Sequence, residues 1–274
     1  MGNKLKIRKL EEKSVQIRKN LLKMIEKAGS GHPGGSLSAT DIGTALFFSE
    51  MNYKSQNPEW KKRDRFILSK GHAAPLLYTL LASAGYFSPS KLNNLRKYKS
   101  ILQGHPASYL VPGVEVSTGS LGQGLSIAAG IALSAKIDKH QYRVFTLLGD
   151  GELNEGQIWE AAMFAGHKKL DNLCAIVDRN RLQIDGDTEK VMALEPLEKK
   201  WQSFNWNTIC IDGHDFNEIL SALEQFKLNS NKPFVIIAKT VKGKGVSFME
   251  NEAGWHGKAP NQEQLKIALN ELDR

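Results

Sequence analysis

Cysteine is scarce: the 274 residues contain two, Cys174 and Cys210. A disulfide framework is thereby excluded. Both cysteines lie in apolar, strand-like runs, which predicts two core thiols in a reducing cytoplasm. No apolar run approaches the roughly 18 residues of a membrane span, and the opening stretch MGNKLKIRKLEEK has no secretory apolar segment. Internal repeats, low-complexity tracts and long linkers are also missing. The net charge is +8, but there is no basic stripe interleaved with aromatics. Clusters such as KKRDR at 61–65 are mixed with acid, so the excess reads as solvated surface rather than a nucleic-acid interface. No GxxxxGK[ST] phosphate loop is present, the GxGxxG spacing is missed around 119–124, and no HExxH offers a metalloprotease site.

What is there is ordinary globular chemistry, with 41% hydrophobic and 24% charged residues, enough for one large α/β domain over 1–274. Apolar residues at helical spacing predict a helix over 10–28, ended by Gly29, and a second over 38–51 with Ser38 and Asp41 as a cap pair. This helical segment, 1–60, is expected to pack on the remainder. Short apolar strands follow at 66–69, 144–148, 173–177, 208–211 and 234–238. Helix-like segments lie between them, near 73–84, 125–135, 157–167, 194–204 and 216–226. Such alternation predicts a doubly wound, mostly parallel sheet with helices on both faces. Ligands of such sheets sit beyond the carboxyl ends of the strands.

Two strands end in an unusual way. VFTLL runs into Gly149-Asp150-Gly151, and CAIV runs into Asp178-Arg179-Asn180-Arg181-Leu182. Taken alone, Asp150 reads equally as a helix N-cap between turn glycines. If the strands are neighbours, Asp150 and Asn180 emerge at one edge as an all-oxygen, lightly charged set. That set suits Mg²⁺ held jointly with a phosphorylated ligand, since a carboxylate-rich site would repel the phosphates. Glycines beside it let backbone N–H groups approach an anion.

The segment GDGELNEGQIWEAAMFAGHKKLDNLCAIVDRNRLQIDG resembles the thiamine-diphosphate signature, GDG followed about thirty residues later by Asn, as transketolases carry it. SGHPGG, FILSKGHAAPLLY, GHP, GVEVSTGSLGQG, AKTVKGKG and WHGKAP are similar to transketolase segments in the same order, covering nearly the whole chain. The resemblance implies Mg²⁺, with Ca²⁺ or Mn²⁺ as substitutes, held by Asp150, Asn180 and the carbonyl of Leu182. It places Gly151 at the diphosphate, His72 and Lys242 against its charge, and the backbone of Gly119, Ser120 and Leu121 against the cofactor rings. Of the seven histidines, His32, His105 and His256 would meet the hydroxyls of a sugar donor and move protons, His256 also lying beside the cofactor. His140, His167 and His214 read as structural. Glu155 matches a glutamate at the family's subunit interface, although acid in a first helical turn accounts for it equally.

Thiamine chemistry in this family also uses a pyrimidine-binding domain, which no segment here matches. The sequence ends at Arg274 after a last amphipathic helix, 261–272. The resemblance therefore implies the N-terminal subunit of a split transketolase. A C-terminal subunit carrying the pyrimidine-binding domain would complete a heterotetramer acting on sugar phosphates of the pentose phosphate pathway. Another thiamine-dependent activity, or a non-catalytic cofactor-binding subunit, stays open at this stage.

Overall fold

The structure, a computed structural model, describes residues 2–273. The first helix, α1 (Gly2–Ala28), begins well before the predicted Leu10 and continues through the charged opening residues. Gly29, at a positive φ of 61°, ends it. The single helix expected over 38–51 is instead broken. Residues Pro33–Ser38 form α2, with proline in the first turn, and Thr40–Ala45 form α3, which runs on into a wider turn, Leu46–Glu50. Ser38 caps nothing. Its hydroxyl donates to Asp178 Oδ2 at 2.6 Å, because burial among neighbouring elements offers it a stronger acceptor than a backbone carbonyl.

The remaining elements are β1 (Arg65–Leu68), α4 (Ala74–Ser83), α5 (Gln123–Ile137), β2 (Val144–Gly149), α6 (Gly156–His167), β3 (Leu173–Arg179), the two-residue strands β4 (Leu182–Gln183) and β5 (Gly186–Asp187), α7 (Thr188–Val191), α8 (Leu197–Ser203), β6 (Asn207–Asp212), α9 (Phe216–Lys227), β7 (Phe234–Lys239) and α10 (Gln262–Glu271). Five strands form one sheet in the order β1-β2-β3-β7-β6, and all its pairings are parallel. β4 and β5 make a small antiparallel hairpin.

Alternation along the strands builds a core on each face. Phe145, Leu147, Cys174, Ile176 and Ile236 point to the side covered by α1, α3, α4 and α9. Leu148, Ala175, Val177, Val235 and Ile237 point to the side covered by α5, α6 and α8. The expected doubly wound α/β architecture is thus observed. One thiol departs from expectation: Cys174 is buried but Cys210 is exposed. β6 is the sheet's edge strand, so only part of its surface is covered.

Register brings two chain ends together. Gly149 lies opposite Asp178, so β2 and β3 release their chains at the same level and the same rim.

Candidate functional site

A cleft of about 370 Å³ opens at this rim. The loops after β1, β2, β3 and β7 supply His72, Asp150 and Gly151, Asn180 and Leu182, and Lys242 and His256, respectively. His32 enters from the turn before α2, Gly119 and Leu121 from the loop before α5, and Glu155 from the start of α6. Sequence separation of more than 200 residues is thus closed by the parallel sheet, which aims every carboxyl end one way. Two predicted residues are not in the lining. Ser120 is solvent-exposed, and His105 stands behind Gly119, where an added Cβ would lie 3.1 Å from the His105 ring. Gly119 has φ 152° and keeps that approach open.

The oxygen ligand candidates are pre-oriented by hydrogen bonds. Asp150 Oδ1 accepts from the Gly151 N–H at 2.9 Å, and Oδ2 accepts from the Arg181 N–H at 2.6 Å and from Arg179 Nη1 at 3.2 Å. Asn180 donates its amide to Asp178 Oδ2 at 3.1 Å, which identifies Oδ1 as the oxygen left to accept; it takes the Leu182 N–H at 3.1 Å. The Leu182 carbonyl already accepts a cation, the Lys242 ammonium, at 3.2 Å. Burial, and then the nearby Asp178 carboxylate, push the Asp150 pKa up, so a cation brought to Asp150 would relieve an unfavourable charge. Among the described residues no three His, Cys, Asp or Glu side chains are grouped to hold a metal. One carboxylate, one amide oxygen and one carbonyl are the hard-oxygen donors on offer, and they fit a magnesium-sized ion shared with a phosphate.

The histidines form a cluster. Ring centroids are 5.3 Å apart for His32 and His72, 5.4 Å for His32 and His256, and 5.1 Å for His72 and His256. Burial holds the His32 pKa down at about 4 and that of His256 at about 3, with neighbouring positive charge adding to it. His72 is held well below its ordinary value by burial and by Lys70. His256 Nδ1 lies 3.0 Å from Lys242 Nζ, which makes that nitrogen the acceptor. Burial and the Lys70 charge bring Lys242 down to about 8. Neutral imidazoles beside ammonium groups make a pocket suited to an anion. His32 Nδ1 and Gln183 Nε2, both on lining residues, are buried without a hydrogen-bond partner, so the cleft holds unspent polar capacity.

Four residues outside the predicted site set also shape the cleft. Lys70 is buried and bonds Asp178 Oδ2 at 2.5 Å and the Gly35 carbonyl at 2.7 Å. Asp178 also accepts from Ser38 at 2.6 Å and Thr240 at 2.5 Å. Burial would raise its pKa, but the Lys70 ammonium and these bonds outweigh it and the net shift is downward. Glu152 accepts from three different segments. Arg96 donates to Ser30 Oγ at 2.8 Å, and its charge helps to depress His32 and His105. Buried Lys and Asp are the signal that could have been used: SKGH and VDRN each place a charge within an otherwise apolar strand end. His214, read as structural, is tied to the site at one remove. Its Nδ1 meets Asp41 Oδ2 at 2.8 Å, and its Nε2 accepts the N–H of Val241, next to Lys242, at 2.9 Å.

A parallel α/β domain with a glycine-lined cleft, two buried lysines and hard oxygen donors at its carboxyl edge fits a phosphate-bearing ligand. Residues 11–272 match the family described as the transketolase thiamine diphosphate binding domain, and the chain belongs to that family. It is 46% identical to the 6-deoxy-6-sulfo-D-fructose transketolase subunit SqwG of a Clostridium species, over 97% of this chain and 96% of that one. It is 44% identical to one subunit of the apulose-4-phosphate transketolase of Phocaeicola vulgatus, over 98% and 95%. It superposes on the crystal structure of Campylobacter jejuni transketolase with a TM-score of 0.92 at 36% identity, covering 97% of this chain and 43% of that chain. The chain thus spans less than half of a transketolase of that form, and nearly all of the two subunit relatives.

Proposed function

We propose that this chain binds Mg²⁺ and thiamine diphosphate as the N-terminal subunit of a two-chain transketolase. With a partner it transfers a two-carbon ketol unit from a ketose phosphate to an aldose phosphate. The observation that carries the reading is the meeting, in one cleft, of Asp150, Asn180 and Leu182 with the histidine cluster and Lys242. Asp150, Asn180 and the Leu182 carbonyl would hold the ion, and Lys242 and His72 the diphosphate near Gly151. The backbone of Gly119, Ser120 and Leu121 would flank the rings. Thiamine diphosphate, when bound, supplies the carbon nucleophile that takes up the two-carbon unit. His32, His105 and His256 would hold the sugar hydroxyls and pass protons, a role suited to imidazoles kept neutral near pH 7.

The partner reading rests on two supports. The relatives that this chain matches end to end are named as subunits. In addition, the outer surfaces of α5 and α6, the two helices that start near the cleft, leave Ile137 70%, Met163 57% and Phe164 38% exposed, while Gly130 and Gly156 have open space over them. Large apolar side chains left exposed on these helices call for cover. The pyrimidine-binding domain would come from that second chain and Glu155, at the cleft's rim, would face it, in a heterotetramer with two copies of each. Place in the pentose phosphate pathway is part of this reading. A sulfo-sugar substrate is the second reading, favoured by the similarity to SqwG. The exposed free thiol of Cys210 suits a cytoplasmic setting, and among the described residues no helix is long and apolar enough to cross a membrane.

The test is a ketol-transfer assay with Mg²⁺ and thiamine diphosphate, using this chain alone and together with the candidate partner. Turnover should require both chains. Robust turnover by this chain alone would contradict the two-chain reading, and full activity in Asp150→Ala would contradict the assigned site.

A further inference from the structure

Glu152 is 2% exposed and forms no salt bridge among the described residues, yet its carboxylate is fully used. Oε1 accepts the Ser69 hydroxyl at 2.5 Å and the Gly122 N–H at 2.9 Å, and Oε2 accepts the Gly149 N–H at 3.0 Å. The three donors belong to three separate segments. Ser69 precedes Lys70 and His72 after β1, Gly122 follows Gly119 and Leu121 before α5, and Gly149 is the last residue of β2, immediately before Asp150. We infer that Glu152 is a positioning residue that clamps three cofactor-facing loops to one another, setting the distance between the Asp150 edge, the Gly119 loop and His72. This rests on the proposed cofactor reading and deepens it.

Two further contacts show how closely the clamped parts fit. An added Cβ at Gly124 would lie 2.3 Å from Ser69 Oγ, and Gly122 holds a φ of 84° that favours glycine. The start of α5 is thus pressed onto the β1 loop, with Glu152 as the shared acceptor between them. Chemistry explains why the residue is an acid. All three partners donate, so both oxygens must accept, and a carboxylate does this without a proton of its own in the way. A glutamine of the same shape would set an NH₂ against at least one N–H, leaving a buried donor unpaired.

The experiment uses the full chain as wild type, Glu152→Gln and Ser69→Ala. Amide hydrogen exchange is followed without ligand, and thiamine diphosphate affinity is measured by titration at saturating Mg²⁺. Glu152→Gln should exchange faster in 69–72, 119–124 and 149–151 together while α9 and α10 keep their protection, and its Kd should rise about tenfold or more. Ser69→Ala, which removes one of the three bonds, should do the same in the first segment and to a smaller degree in affinity. Faster exchange confined to 151–154, or an unchanged Kd in Glu152→Gln, would overturn the inference. Should the wild-type chain bind no cofactor even with the partner chain present, the functional reading fails, and the exchange pattern alone decides whether the clamp exists.

Discussion

The Asp150 carboxylate accepts the backbone N–H of Arg181 at 2.6 Å, which ties the end of β2 to the residue that follows Asn180 at the end of β3. This short bond adds to the β2–β3 register in setting the spacing of two ligand candidates that are about thirty positions apart in sequence. Asp150→Ala removes both a ligand oxygen and this tie, whereas Asn180→Ala removes a ligand and leaves the tie. Mg²⁺-dependent thiamine diphosphate binding, followed by calorimetry, should be lost in Asp150→Ala and weakened at least about tenfold in Asn180→Ala. Equal affinity in either variant and the wild type would remove that residue from the site.

Lys242 donates to the Leu182 carbonyl at 3.2 Å and to His256 at 3.0 Å. Its side chain is nearly inaccessible to solvent, so a diphosphate beside it would interact at low dielectric. Lys242→Met should weaken cofactor binding by roughly ten- to a hundredfold, about 1.4 to 2.8 kcal/mol. The folded chain should otherwise be retained, as judged by circular dichroism. Loss of affinity below about twofold would place the diphosphate elsewhere.

The depressed histidines make stability acid-sensitive. His32 takes up its proton near pH 6.5 when unfolded but only near about pH 4 when folded. Below about pH 6.5 the unfolded chain therefore binds more protons, and stability falls as pH drops from that value toward about 4; above it the contribution is complete. His72 and His256 act with the same sign. Melting temperatures at about pH 7 and about pH 5 should show a drop in wild type that is smaller in His32→Asn. An equal drop in both would show that His32 carries no such linkage.

Away from the cleft, Arg18 grips Asp41 through both carboxylate oxygens, at 2.6 and 2.8 Å. Burial alone would raise the Asp41 pKa, but the Arg18 charge and the His214 and Arg18 hydrogen bonds carry it well below the ordinary range. Because His214 Nε2 accepts from Val241, its Nδ1 carries the proton donated to Asp41. Arg18→Ala strands a buried charge, and chemical denaturation should show a loss of roughly 3–5 kcal/mol. A loss below about 1 kcal/mol would mean that water reaches Asp41 freely.

Much of the sheet was legible because β2 and β3 are apolar runs, interrupted by Thr146 alone, that stop on polar residues, and the GDG and Asn180 ends stand out against them. Burial on both faces leaves few other readings for such a run. The start of α1 was not legible, since its first turns are mostly charged and show no apolar stripe. Ser38 and Asp41 looked like a local cap pair, but each bonds a residue distant in sequence, Asp178 and Arg18. Tertiary partners of this kind leave no trace in spacing. Cys210 shows the same limit, for an apolar strand in sequence does not reveal which strand lies at the edge. Glu152 was hidden by its neighbours, because an acid after GDG reads as helix-start chemistry until Ser69 and Gly122 are seen to converge on it.

The most direct test is a crystal structure of this chain with Mn²⁺ and thiamine diphosphate, using the anomalous signal of the metal. The account predicts a single strong peak within about 2.0–2.5 Å of a carboxylate oxygen of Asp150, of Asn180 Oδ1 and of the Leu182 carbonyl, with diphosphate oxygens completing the shell. A peak ligated by other residues, or cofactor density with no metal among these three, would contradict it.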